Sequence, residues 1–148
     1  LSELIENTEK EVELFNFEIK ATMSIRNLDS SGAASDSLRV ESDSNSVTSK
    51  GVFYLEYLNR GRPPGKFPPM AAIERWVIEK GLDIPPFLVA RKIAREGTTI
   101  YKNRSKGLQL EPKIEALQKT ISENAPKWAK NDLLLQIKEM NSQIIKNI

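Results

Sequence analysis

Six of the eight prolines fall in three adjacent pairs, Pro63-Pro64, Pro68-Pro69 and Pro85-Pro86. This placement limits the centre of the chain more than any other feature. Proline fixes φ near the helical value and has no N–H, so it suits the first turn of a helix and disfavours helix interiors and central strands. The pairs at 68–69 and 85–86 therefore predict two short central helices, each opened by proline. In the first, running to about residue 80, Ile73, Trp76 and Val77 share one face and Glu74, Arg75 and Glu79 point elsewhere. Gly81 is expected to stop it in a left-handed conformation, with Leu82 packing back on Val77 as in a Schellman cap. In the second, Phe87, Ala90, Ile93 and Ala94 make the apolar side, Arg91, Lys92 and Arg95 favour the C-terminal end of the dipole, and Gly97 closes the helix.

Ahead of these helices lies Arg60-Gly61-Arg62-Pro63-Pro64-Gly65-Lys66-Phe67, a loop by its turn formers. A phosphate-cradling loop needs four residues between its glycines and a Ser or Thr after the lysine; three separate Gly61 from Gly65, and Phe67 follows Lys66. The segment is expected instead to be a rigid connector that sets the direction of the next helix and lowers the entropy of the unfolded chain.

The 148 residues suffice for one domain with one core, and residues 111–148 could form a helical extension of it. There is no Cys and no His, which excludes disulfides, thiolate chemistry, and the commonest general base and metal ligand. No pair of carboxylates stands out for acid–base work. The expectation is a protein that is not an enzyme, with no catalytic residue, metal or cofactor. No apolar run reaches the length of a membrane span, and the acidic start Leu-Ser-Glu-Leu-Ile-Glu is unlike a secretory signal. The missing initiator Met leads one to expect numbering that does not begin at the gene start.

Charge is unevenly spread. Residues 59–106 carry eleven basic and four acidic side chains, a net +7, and residues 1–58 carry five basic and eleven acidic ones, a net −6. Such asymmetry fits a nucleic-acid patch or, with more weight here, the acidic surface of one copy meeting the basic surface of a neighbour. On the nucleic-acid alternative Arg91, Lys92, Arg95, Lys102, Arg104 and Lys106 would contact phosphates.

Residues 1–28 contain no Gly or Pro. Leu1, Leu4, Ile5, Thr8, Val12, Phe15, Ile19 and Met23 follow a helical stripe, whereas Phe15, Phe17, Ile19, Ala21, Met23 and Ile25 alternate as in a strand. The unpunctuated length favours helix. Residues 29–35 read as a loop, followed by a hairpin from 37–41 through Asp43-Ser44-Asn45 to a return over 47–55. Residues 98–107 are expected to be an exposed polar loop. Pro112 then opens a helix with Ile114, Leu117 and Ile121 inward, and Pro126 opens the last, with Ala129, Leu133, Ile137, Met140 and Ile144 on one face. Leu134, Leu135 and Ile145 widen that face; core packing is the favoured explanation. The fold class is α+β: an N-terminal helix, a hairpin-based antiparallel sheet, two short central helices and a helical C-terminal region.

The order Ser31-Gly32, Ser37-Leu38-Arg39-Val40, Phe53-Tyr54-Leu55-Glu56-Tyr57-Leu58-Asn59-Arg60-Gly61-Arg62, Pro63-Pro64-Gly65-Lys66, Ile73 and Trp76 before Lys80-Gly81, and Ala90-Arg91-Lys92-Ile93 before Gly97-Thr98 resembles the neck and tail-completion proteins of tailed bacteriophages. The resemblance covers residues 28–98 and leaves the helix after Pro126 unmatched. It implies a structural virion protein, assembled in the host cytoplasm, that forms a homo-oligomeric ring joining the portal or connector to the tail, with non-specific contact to passing DNA and no membrane. It further implies that Tyr54, Tyr57, Arg60, Gly61, Arg62, Pro63, Pro64, Gly65, Lys66, Arg91, Arg95 and Gly97 shape loops or interfaces, with Gly81 a further backbone pivot.

Overall fold

The unpunctuated N-terminal stretch is one helix, α1 (Glu3–Ile25). Burial decides between the two readings of its pattern. Ile5, Val12, Ile19 and Met23 are buried, while Phe17 and Ile25, which a strand would have turned inward with Ile19 and Met23, are 68% and 84% exposed. A computed structural model describes residues 2–146, so Leu1 of the predicted stripe lies outside the described residues. The fold is α+β and mostly helical, with a two-stranded antiparallel sheet and a long C-terminal helix.

The expected loop at 29–35 instead leads into a short helix, α2 (Ala33–Ser37). Asp29 makes this possible by accepting hydrogen bonds from the Ser35 and Ala34 amides at 2.7 and 3.4 Å. Burial raises the Asp29 pKa, but the Ser35 hydroxyl and these amides outweigh it and hold the carboxyl below its ordinary value. The hairpin follows as β1 (Arg39–Ser42) and β2 (Val47–Lys50), with Arg39 opposite Lys50 and Ser42 opposite Val47. Asp43 holds its turn by accepting from the Asn45 and Ser46 amides at 2.7 and 2.9 Å. The return strand ends at Lys50 rather than at 55, and Leu55, expected to end it, instead opens a helix, α3 (Leu55–Arg60). Gly51 and a turn, in which the Leu55 amide donates to the Val52 carbonyl at 3.2 Å, separate the two.

The proline-opened helices are α4 (Met70–Glu79) and α5 (Pro86–Glu96). Gly81, at φ 63°, ends α4 with the Leu82 amide on the Val77 carbonyl at 3.0 Å, the Schellman bond. Their apolar faces are only partly inward: Val77 and Ala90 are buried, whereas Trp76 is 38% and Phe87 55% exposed. Residues 98–107 are not an open loop. They contain α6 (Thr99–Lys102) and a 3-10 turn (Arg104–Lys106), and they lead to Leu108, which is wholly buried.

A larger correction concerns the C-terminus, where one helix, α7 (Leu110–Lys146), runs through Pro126. Proline removes a single N–H, leaving the Ser122 carbonyl without its helical donor, and the good helix formers on both sides keep the geometry going. Core packing of its apolar residues is also corrected, because no residue of α7 is buried.

The chain forms two compact units, Leu1–Asn16 with Arg39–Lys50 and Pro112–Ile148, and Phe17–Leu38 with Gly51–Glu111. In the first, Asn16 is buried and accepts from the Ser49 hydroxyl at 2.6 Å, which ties β2 to α1. Asp132 of α7 accepts from the Glu3 and Leu4 amides at 2.6 and 3.1 Å, satisfying donors that the start of α1 leaves free. In the second, Ile19, Met23, Ala34, Leu38, Val77, Ala90 and Leu108 are buried, with Pro68 beside them in the buried class.

Candidate functional site

Helices α3 and α5 end alike. Gly61 has φ 76°, ψ 177° and Gly97 φ 77°, ψ 177°, a region that essentially only glycine occupies. Each amide closes its own helix, Gly61 onto the Tyr57 carbonyl at 2.9 Å and Gly97 onto that of Ile93 at 2.8 Å. The segments leaving these helices then pair. The Arg62 amide donates to Thr98 Oγ1 at 2.9 Å, the Thr98 amide to the Arg62 carbonyl at 3.0 Å, and the Gly65 amide to the Ala94 carbonyl at 2.7 Å. A Cβ on Gly97 would stand 2.9 Å from the Arg62 carbonyl oxygen, so the close approach also requires glycine. With its N–H committed to Ala94, Gly65 does not offer an anion the donor that a phosphate-cradling loop would present.

This clasp carries an aromatic and cationic surface. The Arg62 guanidinium carbon lies 5.5 Å from the Tyr57 ring centre, a cation–π distance, and its Nη2 donates to the Phe67 carbonyl at 3.3 Å. Phe67 stacks on Phe87 with centroids 5.9 Å apart. Pro63, Pro64 and Lys66 are exposed. Thus Tyr57, Gly61, Arg62, Gly65 and Gly97 come together as a group. Tyr54 has a different role: it is half-buried, edge-on to Phe53 at 5.7 Å. Burial, and then the negative charges of Asp29 and Glu79, push its phenol above the ordinary value.

The basic residues divide into engaged and free. Arg60 pairs with Glu56 at 3.5 Å and Glu111 at 3.2 Å. Arg95 and Lys102 share Glu96, at 2.8 and 2.9 Å. Hydrogen bonds from Lys102 and then Arg95 hold the Glu96 carboxyl at a pKa of about 2, against an ordinary 4.5. Arg91, Lys92, Arg104 and Lys106 are exposed and, among the described residues, make no ion pair. Of the six candidate phosphate contacts, four are therefore unpaired.

Sequence reasoning missed the anchor at the start of α7. Asn59 is buried, accepts from the Leu110 amide at 2.9 Å and donates to Glu111 at 3.2 Å. Its own amide, then Asn59, and then Arg60 keep Glu111 below the ordinary carboxylate range. Arg26 donates to the Gly107 carbonyl and, at 2.8 Å, to Gln109. No pattern marks an Asn at a helix end as buried. Thr98, read in the sequence as the start of an exposed loop, caps α6 by accepting from the Tyr101 amide; a Thr directly after a glycine stop is the signal that could have found it.

A second surface lies on α7, in the other unit. Between 113 and 132 a stripe including Leu117, Ile121 and Trp128 is half-buried at helical spacing. Beyond Asp132, which caps α1, every residue from 133 to 146 is exposed. The apolar side chains there, from Leu133 to Ile145, are 45–73% exposed. An apolar surface of this kind is uncommon on a monomer. Among the described residues no three acidic groups gather to hold a metal ion, and no helix is long and apolar enough to cross a membrane.

The chain matches no family model, no curated protein and no solved structure.

Proposed function

We propose that the chain is a structural subunit of a tailed-bacteriophage head–tail junction, a neck or tail-completion component that assembles with its own copies into a ring between portal or connector and tail. It works without catalysis, in the host cytoplasm during assembly and then in the virion. The order of motifs over residues 28–98 suggests the family, and the observation that supports assembly is the uncovered apolar length of α7. A closed ring needs two different faces meeting head to tail. The opposed net charges of residues 1–58 and 59–106 fit such a contact, where complementarity favours the correct register.

Arg91, Lys92, Arg104 and Lys106, which make no ion pair among the described residues, favour a second reading, a nucleic-acid-binding protein. Light scattering at low and high salt, with non-specific DNA in a parallel sample, separates the two. A ring-sized species, or a monomer that joins a ring when portal or tail protein is added, supports the first. A monomer that never assembles and binds DNA with a steep salt dependence overturns it in favour of the second.

A further inference from the structure

We infer that residues 133–146 of α7 are a self-association element, packing against the same segment of other copies as parallel helices. The inference rests on the self-assembly in the proposed function and adds its contact. A helix of this length standing free of its own chain is marginal in water and needs a partner for its apolar face.

The pattern of that face identifies the partner. At about 100° per residue, Leu133, Ile137, Met140 and Ile144 fall within an arc of roughly 60°, and Leu134 and Ile145 widen it to roughly 140°. The first four are spaced four, three and four, the seam of a coiled coil. Ile137 and Ile144 then take the positions where β-branched residues favour parallel pairing, and Leu133 and Met140 take the alternate positions. Charge at the seam's flanks normally selects among partners and sets like helices apart. Here the flanking positions are Gln136 and Gln143 on one side and Leu134 and Asn141 on the other, all uncharged. Lys138, Glu139 and Lys146 lie outside the seam. Identical helices therefore meet in register without like-charge repulsion, whereas a partner recognised by charge would find nothing to read. Copies related by rotation about a ring axis also run parallel, as the seam requires.

The full chain lacks cysteine, so single-cysteine variants report the contact directly. Under mild oxidation Met140→Cys is expected to form a disulfide between identical positions of two copies at least tenfold faster than Ser142→Cys, on the opposite face. Equal rates at the two sites overturn the inference. Ile137→Glu, checked by circular dichroism for an unchanged fold, is expected to lower the assembled mass. If the wild-type chain is oligomeric and Ile137→Glu remains so, this inference falls and the ring reading stands. If the wild-type chain stays monomeric alone at high concentration but joins a ring with portal or tail protein, the inference again falls without that reading. A chain that never assembles, even with those proteins, overturns both.

Discussion

The Gly61–Gly97 clasp and the last turns of α7 use their residues in opposite ways. At the clasp two helix ends are tied to each other through Arg62, Gly65, Ala94 and Thr98, and little side chain is involved. Along residues 133–146 the helix is regular, and its large apolar side chains all face solvent. The clasp is satisfied inside the chain, whereas the end of α7 leaves its apolar side chains uncovered. Mutations should therefore separate the two, with folding energetics responding at the clasp and association responding on α7.

The largest effect on folding is expected from Gly97→Ala. A φ of 77° with ψ 177° and a Cβ against the Arg62 carbonyl should cost about 3 kcal/mol or more, measured by urea unfolding. Pro126→Ala should act in the other direction, stabilising α7 by about 2 kcal/mol through a restored hydrogen bond and higher helix propensity. Asn59→Ala should cost about 1–2 kcal/mol, because the Leu110 amide loses its acceptor. By contrast Ile144→Ala, with its side chain already in water, should change the stability of the isolated chain by less than about 0.5 kcal/mol while weakening association. A Gly97-sized loss at Ile144, under dilute conditions, would erase the distinction.

The smallest effect belongs to Glu96, whose pKa is lowered by Lys102 and Arg95 to about 2. A depressed carboxylate contributes its stabilisation fully above its ordinary 4.5 and loses it as pH falls toward 2. Carboxyl titration by NMR should show a midpoint near 2, moving toward 4.5 in Lys102→Met. No change in that variant would mean that Arg95 alone holds the charge.

Elements whose signals are local were legible in the sequence. The proline pairs and Gly81 marked α4 and α5 because first-turn sterics and a left-handed cap need no distant partner. The hairpin was legible from alternation and the Asp43 turn, though its return was read too long, since Val52 and Phe53 look like strand residues until Gly51 breaks the ladder. The length of α1 overrode a strand-like alternation whose decisive members, Phe17 and Ile25, prove exposed. At the candidate site, Gly61, Arg62, Gly65 and Gly97 were each singled out in the sequence, and the structure brings them together. Their pairing was not visible, because Thr98 lies 36 residues from Arg62 in the chain.

By itself the sequence determined the helical stripes, the proline-opened starts, the glycine stops and the uneven charge, all of which follow from backbone sterics and periodicity within a few residues. Only the tertiary structure decided which apolar faces are covered. Leu117 and Leu133 have the same hydrophobicity and occupy the same helix, yet one is half-buried and the other 57% exposed. The difference arises because burial depends on whether another element runs alongside, and Asp132 marks where α1 begins.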